Sequence, residues 1–527
     1  MNTELKLNNK RTILVGFAFF LICLFWQAYD SIIPLILTNK FGLAQTWSGV
    51  VMALDNVLAL FLLPLFGAIS DRCASKFGRR TPFIVIGTVV AVVAFISLSF
   101  IDNVQLTKVE NVTPDKYEAS LSIIYDANPE ISKPEKATDG LSIGEAIADI
   151  FSGEMKQPLQ QLYPDRDAFL SIEMSSEDYT NYVVPARSAY AWQQTVAGPS
   201  TLVFFVILLL VVLVSMGIFR SPAVALMPDV TPKPLRSKAN AIINLMGTFG
   251  GICVLILGKV FGTGNAENAM MSYTGFFSVC GGLMLIALGI FVLTVRETKW
   301  AAEADKLSAE AGIDDSEPSQ DGGRSLSRGE KKSLLLILAS VALWFMGYNA
   351  VTSKYSVYAS NVLEMDYNMT LLIAQAAAVV SYIPIGIISS KIGRKKAIMA
   401  GVVMLTAAFG FASFLRSDSS VIVMNILFAL AGVAWATINV NSYPMVVELA
   451  RGGNVGKYTG YYYTASMAAQ VLTPILSGVL LDIRFTTLFP YATIFVALAF
   501  VTMLFVKHGD SRPDAKQTVL DAVGGAD

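Results

Sequence analysis

Apolar runs of about 20 residues recur along almost the whole chain, each set off from the next by polar residues. A run of that length spans the roughly 30 Å hydrocarbon core of a bilayer as a helix. Lipid offers the backbone no hydrogen-bond partner, so each run must satisfy its own N–H and C=O groups as an α-helix. The fold class is therefore an all-α membrane protein, with the lipid bilayer as its surroundings. Charged residues make up only 15% of the chain, against about 25% in soluble domains. A net charge of −1 gives no reason to expect a nucleic-acid partner. Cys23, Cys253 and Cys280 fall in spans and Cys73 in a basic loop, so no disulfide framework is implied. His508 is the only histidine; no metal site, no cofactor and no enzymatic centre are expected. The polar residues 1–10 lead straight into a long span without a small-residue cleavage site, which does not read as a removable signal peptide.

Twelve spans are predicted, at roughly 12–38, 47–69, 81–101, 199–221, 239–260, 273–295, 333–353, 370–390, 397–415, 421–443, 459–481 and 489–506. Basic residues concentrate in alternate loops. Arg72, Lys76, Arg79, Arg80, Lys233, Arg236, Lys238, Lys391, Arg394, Lys395, Lys396, Arg451 and Lys457 fall on one side, whereas the other short loops hold Lys40, Lys259, Lys354, Arg416 and Arg484. The positive-inside rule then puts both termini in the cytoplasm, with the chain a multi-pass protein of the plasma (inner) membrane.

The spans repeat as two pseudo-symmetric sets of six. Gly78-Arg79-Arg80 after span 2 is echoed by Gly393-Arg394-Lys395 after span 8, and Pro228-Asp229 at the end of span 4 by Pro444 and Glu448 at the end of span 10. The two echoes are offset unequally, and the difference matches segment 102–197, which has only a stub as counterpart in the second set. The expected organisation is an N-terminal half, 1–295, carrying a large exterior insertion at 102–197 between spans 3 and 4. A cytoplasmic linker at 296–332, a C-terminal half at 333–507 and a cytoplasmic tail at 508–527 follow. Paired halves of this kind are the plan of many secondary transporters, with substrate between them near the midplane. In the linker, 301–311 predicts a short helix. The insertion is acidic; Ile143, Ile147, Phe151 and Met155 fall on one helical face, and Tyr179, Tyr182, Tyr190 and Trp192 collect near its end. It reads as a small, mainly helical cap that captures substrate, contacts a partner or simply decorates the fold.

A charge at mid-membrane is expensive, roughly 2.5–3.5 kcal/mol on insertion scales, and marks a candidate functional position. Asp30 in span 1 and Asp55 in span 2 are candidate proton carriers, since a carboxylate in a partly dry cavity exchanges protons at higher pH. Arg220 in span 4 is a candidate ligand; Lys354 fits either a ligand or a side chain snorkelling to the surface. Gln27, Tyr29, Asn244, Tyr348, Asn349, Gln375, Trp435, Asn439 and Asn441 are candidate sugar contacts. Amides donate and accept as hydroxyls do, and an aromatic face suits a sugar ring. The plainer reading of each is interhelical glue. In the basic loops, Asp71, Arg72, Gly78, Arg79, Arg80, Asp229, Arg236 and Glu448 are expected to form a cytoplasmic gate of ion pairs.

Two segments carry a family resemblance. The run from Asp71-Arg72-Cys73 to Gly78-Arg79-Arg80-Thr81-Pro82-Phe83-Ile84 resembles the span 2–3 loop of the sucrose-transporter type of the major facilitator superfamily, within the wider glycoside–pentoside–hexuronide cation symporters. Arg220-Ser221-Pro222-Ala223-Val224-Ala225-Leu226-Met227-Pro228-Asp229, with Arg236 beyond it, resembles the end of span 4 in the same family. The resemblance implies the twelve-helix major facilitator fold and symport of a disaccharide or other glycoside with a proton (or sodium), by a monomer working through alternating access. Sucrose transporters carry an arginine where this chain has Val224 and an aspartate where it has Leu213, so the coupling role shifts to Asp30 or Asp55. Two other readings are an efflux antiporter of the same fold, which predicts a cavity poor in amides, and a non-transporting sensor that uses the insertion to hold its ligand. No G-x-x-x-x-G-K-[ST] run is present, which disfavours an ATP-driven pump.

Overall fold

The computed structural model describes residues 7–132, 156–232, 235–310, 327–447 and 455–508; the side chains of a few helical residues, Arg236 among them, also lie outside the description. Twelve long helices stand among the described residues. They are α1 (Asn9–Leu35), α2 (Gln45–Asp71), α3 (Thr81–Val109), α4 (Ser200–Asp229), α5 (Arg236–Phe261) and α6 (Thr274–Thr294), then α7 (Arg328–Tyr358), α8 (Tyr367–Ile392), α9 (Arg394–Ala412), α10 (Val421–Val447), α11 (Val455–Ile483) and α12 (Leu488–Leu504). Eleven stretches are long and apolar enough to cross a membrane, and α8, at 26 residues, supplies the twelfth crossing by its length.

Local chemistry fixes the ends. A capping box between Ser327 and Glu330 starts α7. Gly262, with φ 66°, ends α5 in the left-handed conformation. The repeated glycines of the two basic loops share one requirement: Gly78 (φ 111°), three residues before α3, and Gly393 (φ 94°), directly before α9, both take positive φ. A buried arginine follows each, Arg80 two residues after Gly78 and Arg394 one after Gly393.

Within the N-terminal half, α1 packs on α5 and α6, and α3 on α4 and α6; in the C-terminal half, α7 packs on α11 and α12, and α10 on α8 and α9. The halves meet along α2–α11, α5–α8 and α1–α7. At α2–α11 the approach is close enough to need glycine on both sides. A Cβ on Gly49 would lie 2.0 Å from the Pro474 carbonyl oxygen, and one on Gly478 would lie 2.4 Å from that of Gln45.

The insertion begins later than its sequence suggests. α3 continues to Val109, 29 residues in all, or about 43 Å at 1.5 Å per residue. It therefore stands above the membrane as a pedestal, and Asp102 belongs to the helix rather than to the cap. The described cap residues form short helices and a two-stranded antiparallel sheet pairing 130–132 with 156–158. The cap has its own core of Leu121, Ile124, Phe169, Tyr179 and Val183. The face formed by Ile143, Ile147, Phe151 and Met155 lies outside the described residues. The linker helix occupies Glu297–Glu310, starting earlier than the predicted 301–311. Trp300 is buried with the Arg11 guanidinium 5.3 Å above its ring.

Candidate functional site

The predicted polar residues separate into a seam between the halves and a cluster in each. Across the seam, Gln375 Nε2 of α8 donates to Gln27 Oε1 of α1 at 2.6 Å, and Gln27 Nε2 donates on to Ser31 Oγ at 3.1 Å. Gly251 of α5 leaves room for this pair; a Cβ there would come within 3.2 Å of Gln375 Oε1.

In the N-terminal half, Asp30 lies within electrostatic reach of Asp55 and Arg220. None of the three forms a direct ion pair among the described residues. Asp55 instead accepts from Asn56 Nδ2 at 2.7 Å, and the Arg220 guanidinium sits 5.5 Å over the Trp26 ring. Such an arrangement leaves two half-buried carboxylates and one cation balanced without mutual locking. Tyr29 is fully buried, packed against Phe25 and Trp26.

In the C-terminal half, Tyr348 of α7 lies flat on Trp435 of α10, with centroids 3.6 Å apart and planes 1° from parallel. Asn349 follows on the same helix. Asn439 is buried, and Asn441 is turned inward, donating from Nδ2 to the Thr437 carbonyl of its own helix at 2.9 Å. Asn441 is thus committed to its helix in this state.

Several buried polar atoms have no hydrogen-bond partner among the described residues: Trp26 Nε1, Tyr29 Oη, Asn244 Nδ2, Asn349 Nδ2, Gln375 Oε1 and Asn439 Oδ1. Most buried polar groups in proteins are paired. These unpaired donors and acceptors lie on α1, α5, α7, α8 and α10.

The basic loop folds as a network inside the N-terminal half. Asp229 receives Arg79 NH2 at 2.7 Å and Arg80 Nε at 2.8 Å, and Arg80 also pairs with Asp71. Burial alone would lower the Arg80 pKa, but the bonds to Asp229 and Asp71 raise it above the ordinary arginine value. Arg72 is exposed and takes no part in these pairs. The Arg236 side chain and Glu448 lie outside the described residues. Glu297, which the sequence did not single out, completes the network. Its carboxylate accepts from Arg80 N at 2.9 Å, Thr81 N at 2.8 Å and Thr81 Oγ1 at 2.7 Å, capping α3 from the linker. A Cβ on Gly78 would strike Glu297 Oε2 at 2.2 Å, so that position needs glycine.

The end of the molecule that carries the cap holds two further sites. Lys40 and Asp102 form a fully buried ion pair at 2.6 Å, with Lys40 Nζ also donating to the Met271 carbonyl at 2.7 Å. Between the halves, Asp482 at the end of α11 caps α2. Its carboxylate accepts from Gln45 N at 2.6 Å, Thr46 N at 2.8 Å and Thr46 Oγ1 at 2.6 Å. Lys354 does not snorkel; it is fully buried and donates to the Gln45 carbonyl at 2.9 Å. Nearby, Lys259 pairs with Asp366 at 2.8 Å, and Thr263 Oγ1 bonds the Tyr367 hydroxyl at 2.8 Å. The halves are therefore latched together at the cap side.

The family model of the Major Facilitator Superfamily matches residues 188–382 and 367–522, and the MFS/sugar transport protein model matches 14–107. The chain belongs to the major facilitator superfamily. A sucrose transport protein of Arabidopsis thaliana is 45% identical over 51 residues, covering 10% of this chain and 10% of that protein. Proton-associated sugar transporter A of Homo sapiens is 42% identical over 64 residues, covering 12% of this chain and 8% of that protein. The chain thus spans about a tenth of the length of these curated relatives. A partially occluded, inward-open structure of the xylose transporter XylE from E. coli superposes with a TM-score of 0.55 at 14% identity, covering 96% of this chain and 99% of that one. At that identity the likeness is one of fold, and the superfamily fold is the one the two six-helix halves adopt.

Proposed function

We propose that the protein is a secondary active transporter that moves a disaccharide or other glycoside together with a proton, by alternating access, in the plasma membrane. The observations that carry this reading are the Gln27–Gln375 amide bridge between the halves, the unpaired buried amide and indole atoms on α1, α5, α7, α8 and α10, and the Tyr348–Trp435 stack. A sugar presents donors, acceptors and apolar ring faces at once, and this lining offers the counterpart of each. An efflux cavity for apolar compounds would not hold so many unpaired amides. The names of the Arabidopsis and human relatives, sucrose transport and proton-associated sugar transport, agree with it.

In this reading the basic loops face the cytoplasm, as do both termini, and the cap faces outward. The state described is closed on the outside by the Asp482 and Lys259–Asp366 latches. Asp30 and Asp55 carry the coupling proton, and the Arg220 charge competes with it. Protonation weakens the pull on Arg220, which turns to the substrate or back to Trp26. The Arg80–Asp229–Asp71–Glu297 network binds the ends of α2, α3 and α4 to the linker, so the N-terminal half moves as one body. One chain encloses the whole route, and the monomer is the working unit. Entry of one proton down 100 mV contributes about 2.3 kcal/mol toward accumulation.

The test is uptake of radiolabelled sucrose and maltose into proteoliposomes with and without an inward proton gradient, for the wild type, Asp30→Asn and Asp55→Asn. Gradient-driven accumulation that one of the two variants abolishes, while sugar exchange without a gradient persists, is the expected result. Absence of accumulation of either sugar under any gradient would refute symport.

A further inference from the structure

Between the cap and the outer ends of both halves lies an open cavity of about 1250 Å³. Its volume exceeds the roughly 300–1,000 Å³ of ordinary ligand pockets, enough for a two- or three-ring glycoside with its water. Two tryptophans line it and remain open to it, Trp47 at 63% and Trp192 at 42% exposure. Large indoles left open in a folded surface are costly to solvate and commonly mark a binding site. Around them stand hydroxyl, amide and carboxylate groups of the cap, including Glu130, Thr180 and Asn181, and the charged Arg416 and Asp418 of the opposite half. The floor is the latch itself: Gln45, Thr46 and Asp482 all face the cavity.

Trp192 is held in place by its backbone. Gly42, with φ 67°, lets the α1–α2 turn press on the cap helix so closely that a Cβ there would lie 2.3 Å from Trp192 N and 2.2 Å from the Ser188 carbonyl oxygen. Ser188 Oγ donates to the Thr38 carbonyl at 3.0 Å and Thr195 Oγ1 to that of Phe41 at 2.9 Å. The cap therefore rides with the N-terminal half, whereas Arg416, Asp418 and Asp482 ride with the other. Rocking of the halves must change the shape of this cavity at the moment its floor opens.

We infer that this vestibule is an external glycoside-binding site. A sugar held there, with its apolar ring faces against Trp192 and Trp47, lies directly on the closed latch and enters the central seam when the latch parts. This rests on the transport of sugars proposed above. A capture site of this kind lowers KM and leaves the maximal rate alone, because it acts before the rate-determining rearrangement.

Two experiments on the full chain test it. In proteoliposomes, Trp192→Ala should raise the KM for sucrose or maltose uptake at least fivefold with the maximal rate kept, and Trp192→Phe should stay near wild type. In detergent, calorimetric titration of the same sugars into Gln375→Ala, weakened at the central seam, should still show binding that the added Trp192→Ala removes. Unchanged KM in both Trp192→Ala and Trp47→Ala would overturn the inference, as would Gln375→Ala binding that survives the loss of Trp192. A Trp192→Ala protein with a lowered maximal rate and lowered melting temperature is misfolded, and Trp47→Ala, at the start of α2, then decides by the same KM criterion. If the wild type transports neither sugar, symport fails, yet calorimetric binding lost with Trp192 would still support the vestibule.

Discussion

Removal of the Asp482 carboxylate should tip the protein toward the state open on the cap side. In the closed state this one group accepts three hydrogen bonds from the start of α2, at 2.6, 2.8 and 2.6 Å. In the open state water replaces them, so the relevant quantity is the net difference between the two. Loss of an N-cap costs about 0.5–2 kcal/mol, and bonds to a charged acceptor are worth about 1.5–3 kcal/mol. The burial that the carboxylate suffers in the closed state offsets part of this. A net of about 1.5–3 kcal/mol lowers the closed-to-open ratio roughly 10- to 150-fold. For a resting population of about 99% closed, Asp482→Ala would then leave between about 40% and 90% closed. Spin labels at Thr107 on the α3 pedestal and at the exposed Phe414 beyond α9 report the separation of the halves on this side. They would be placed in a background freed of Cys23, Cys73, Cys253 and Cys280. The expected result is a second, longer distance in Asp482→Ala, with Asp482→Asn between it and wild type. Gly478→Val should act in the same direction, since its side chain would collide with the Gln45 carbonyl. A single unchanged distance in a well-folded Asp482→Ala protein would refute the assignment of Asp482 as a latch.

Two further outcomes concern stability. Lys40→Met leaves Asp102 buried and unpaired and should cost about 3–5 kcal/mol, read as a large drop in melting temperature in detergent. Lys40→Met with Asp102→Leu should recover most of it, and a single variant as stable as wild type would show the pair to be dispensable. Glu364, just past α7, adopts a left-handed conformation with φ 51°, and burial pushes its pKa up to about 7. Its folded-state pKa is raised, so the folded protein favours the protonated form and stability declines as pH rises from about 4.5 through 7. Glu364→Gln should therefore melt higher than wild type at pH 8 and equal it near pH 4.5; equal melting at both would count against the shift.

The helical architecture was legible because it rests on local signals: apolar runs of membrane length, and a Gly-Arg pair repeated where a positive-φ glycine precedes α3 and α9. The Asp229 pairing of the basic loop followed from charges in adjacent loops. The polar seam was legible as a set of candidates, though Asn441 shows the limit, since a side chain turned back to its own helix reads the same in sequence. What escaped were contacts between distant segments. Lys40 and Asp102 are 62 positions apart and Gln45 and Asp482 are 437, and each reads locally as an ordinary charge near a membrane face. Glu297 was hidden in the same way, as an acidic residue opening a polar linker.

The way these charges are buried divides them by task. The innermost pairs inside one half are sealed, Lys40–Asp102 wholly and Arg80–Asp229 at 5% and 14% exposure, whereas Arg79 and Asp71 at the rim of the same network are 45% and 59% exposed. Breaking such a pair strands a charge in a low dielectric, at a cost no transport step repays. Contacts between the halves are mixed: Lys354 is fully buried where it donates to the Gln45 carbonyl, and the others are more open or engage backbone. Lys259 is 53% exposed in its pair with Asp366, a surface pair worth at most about 1 kcal/mol. Asp482 engages backbone N–H groups at a helix end, which water can take over as soon as the halves part. A transporter that must open and close on ligand and proton energies of a few kcal/mol needs latches of that size. In the proposed transport cycle the surfaces expected to separate are therefore those between the halves, with α2, α3 and α4 travelling together.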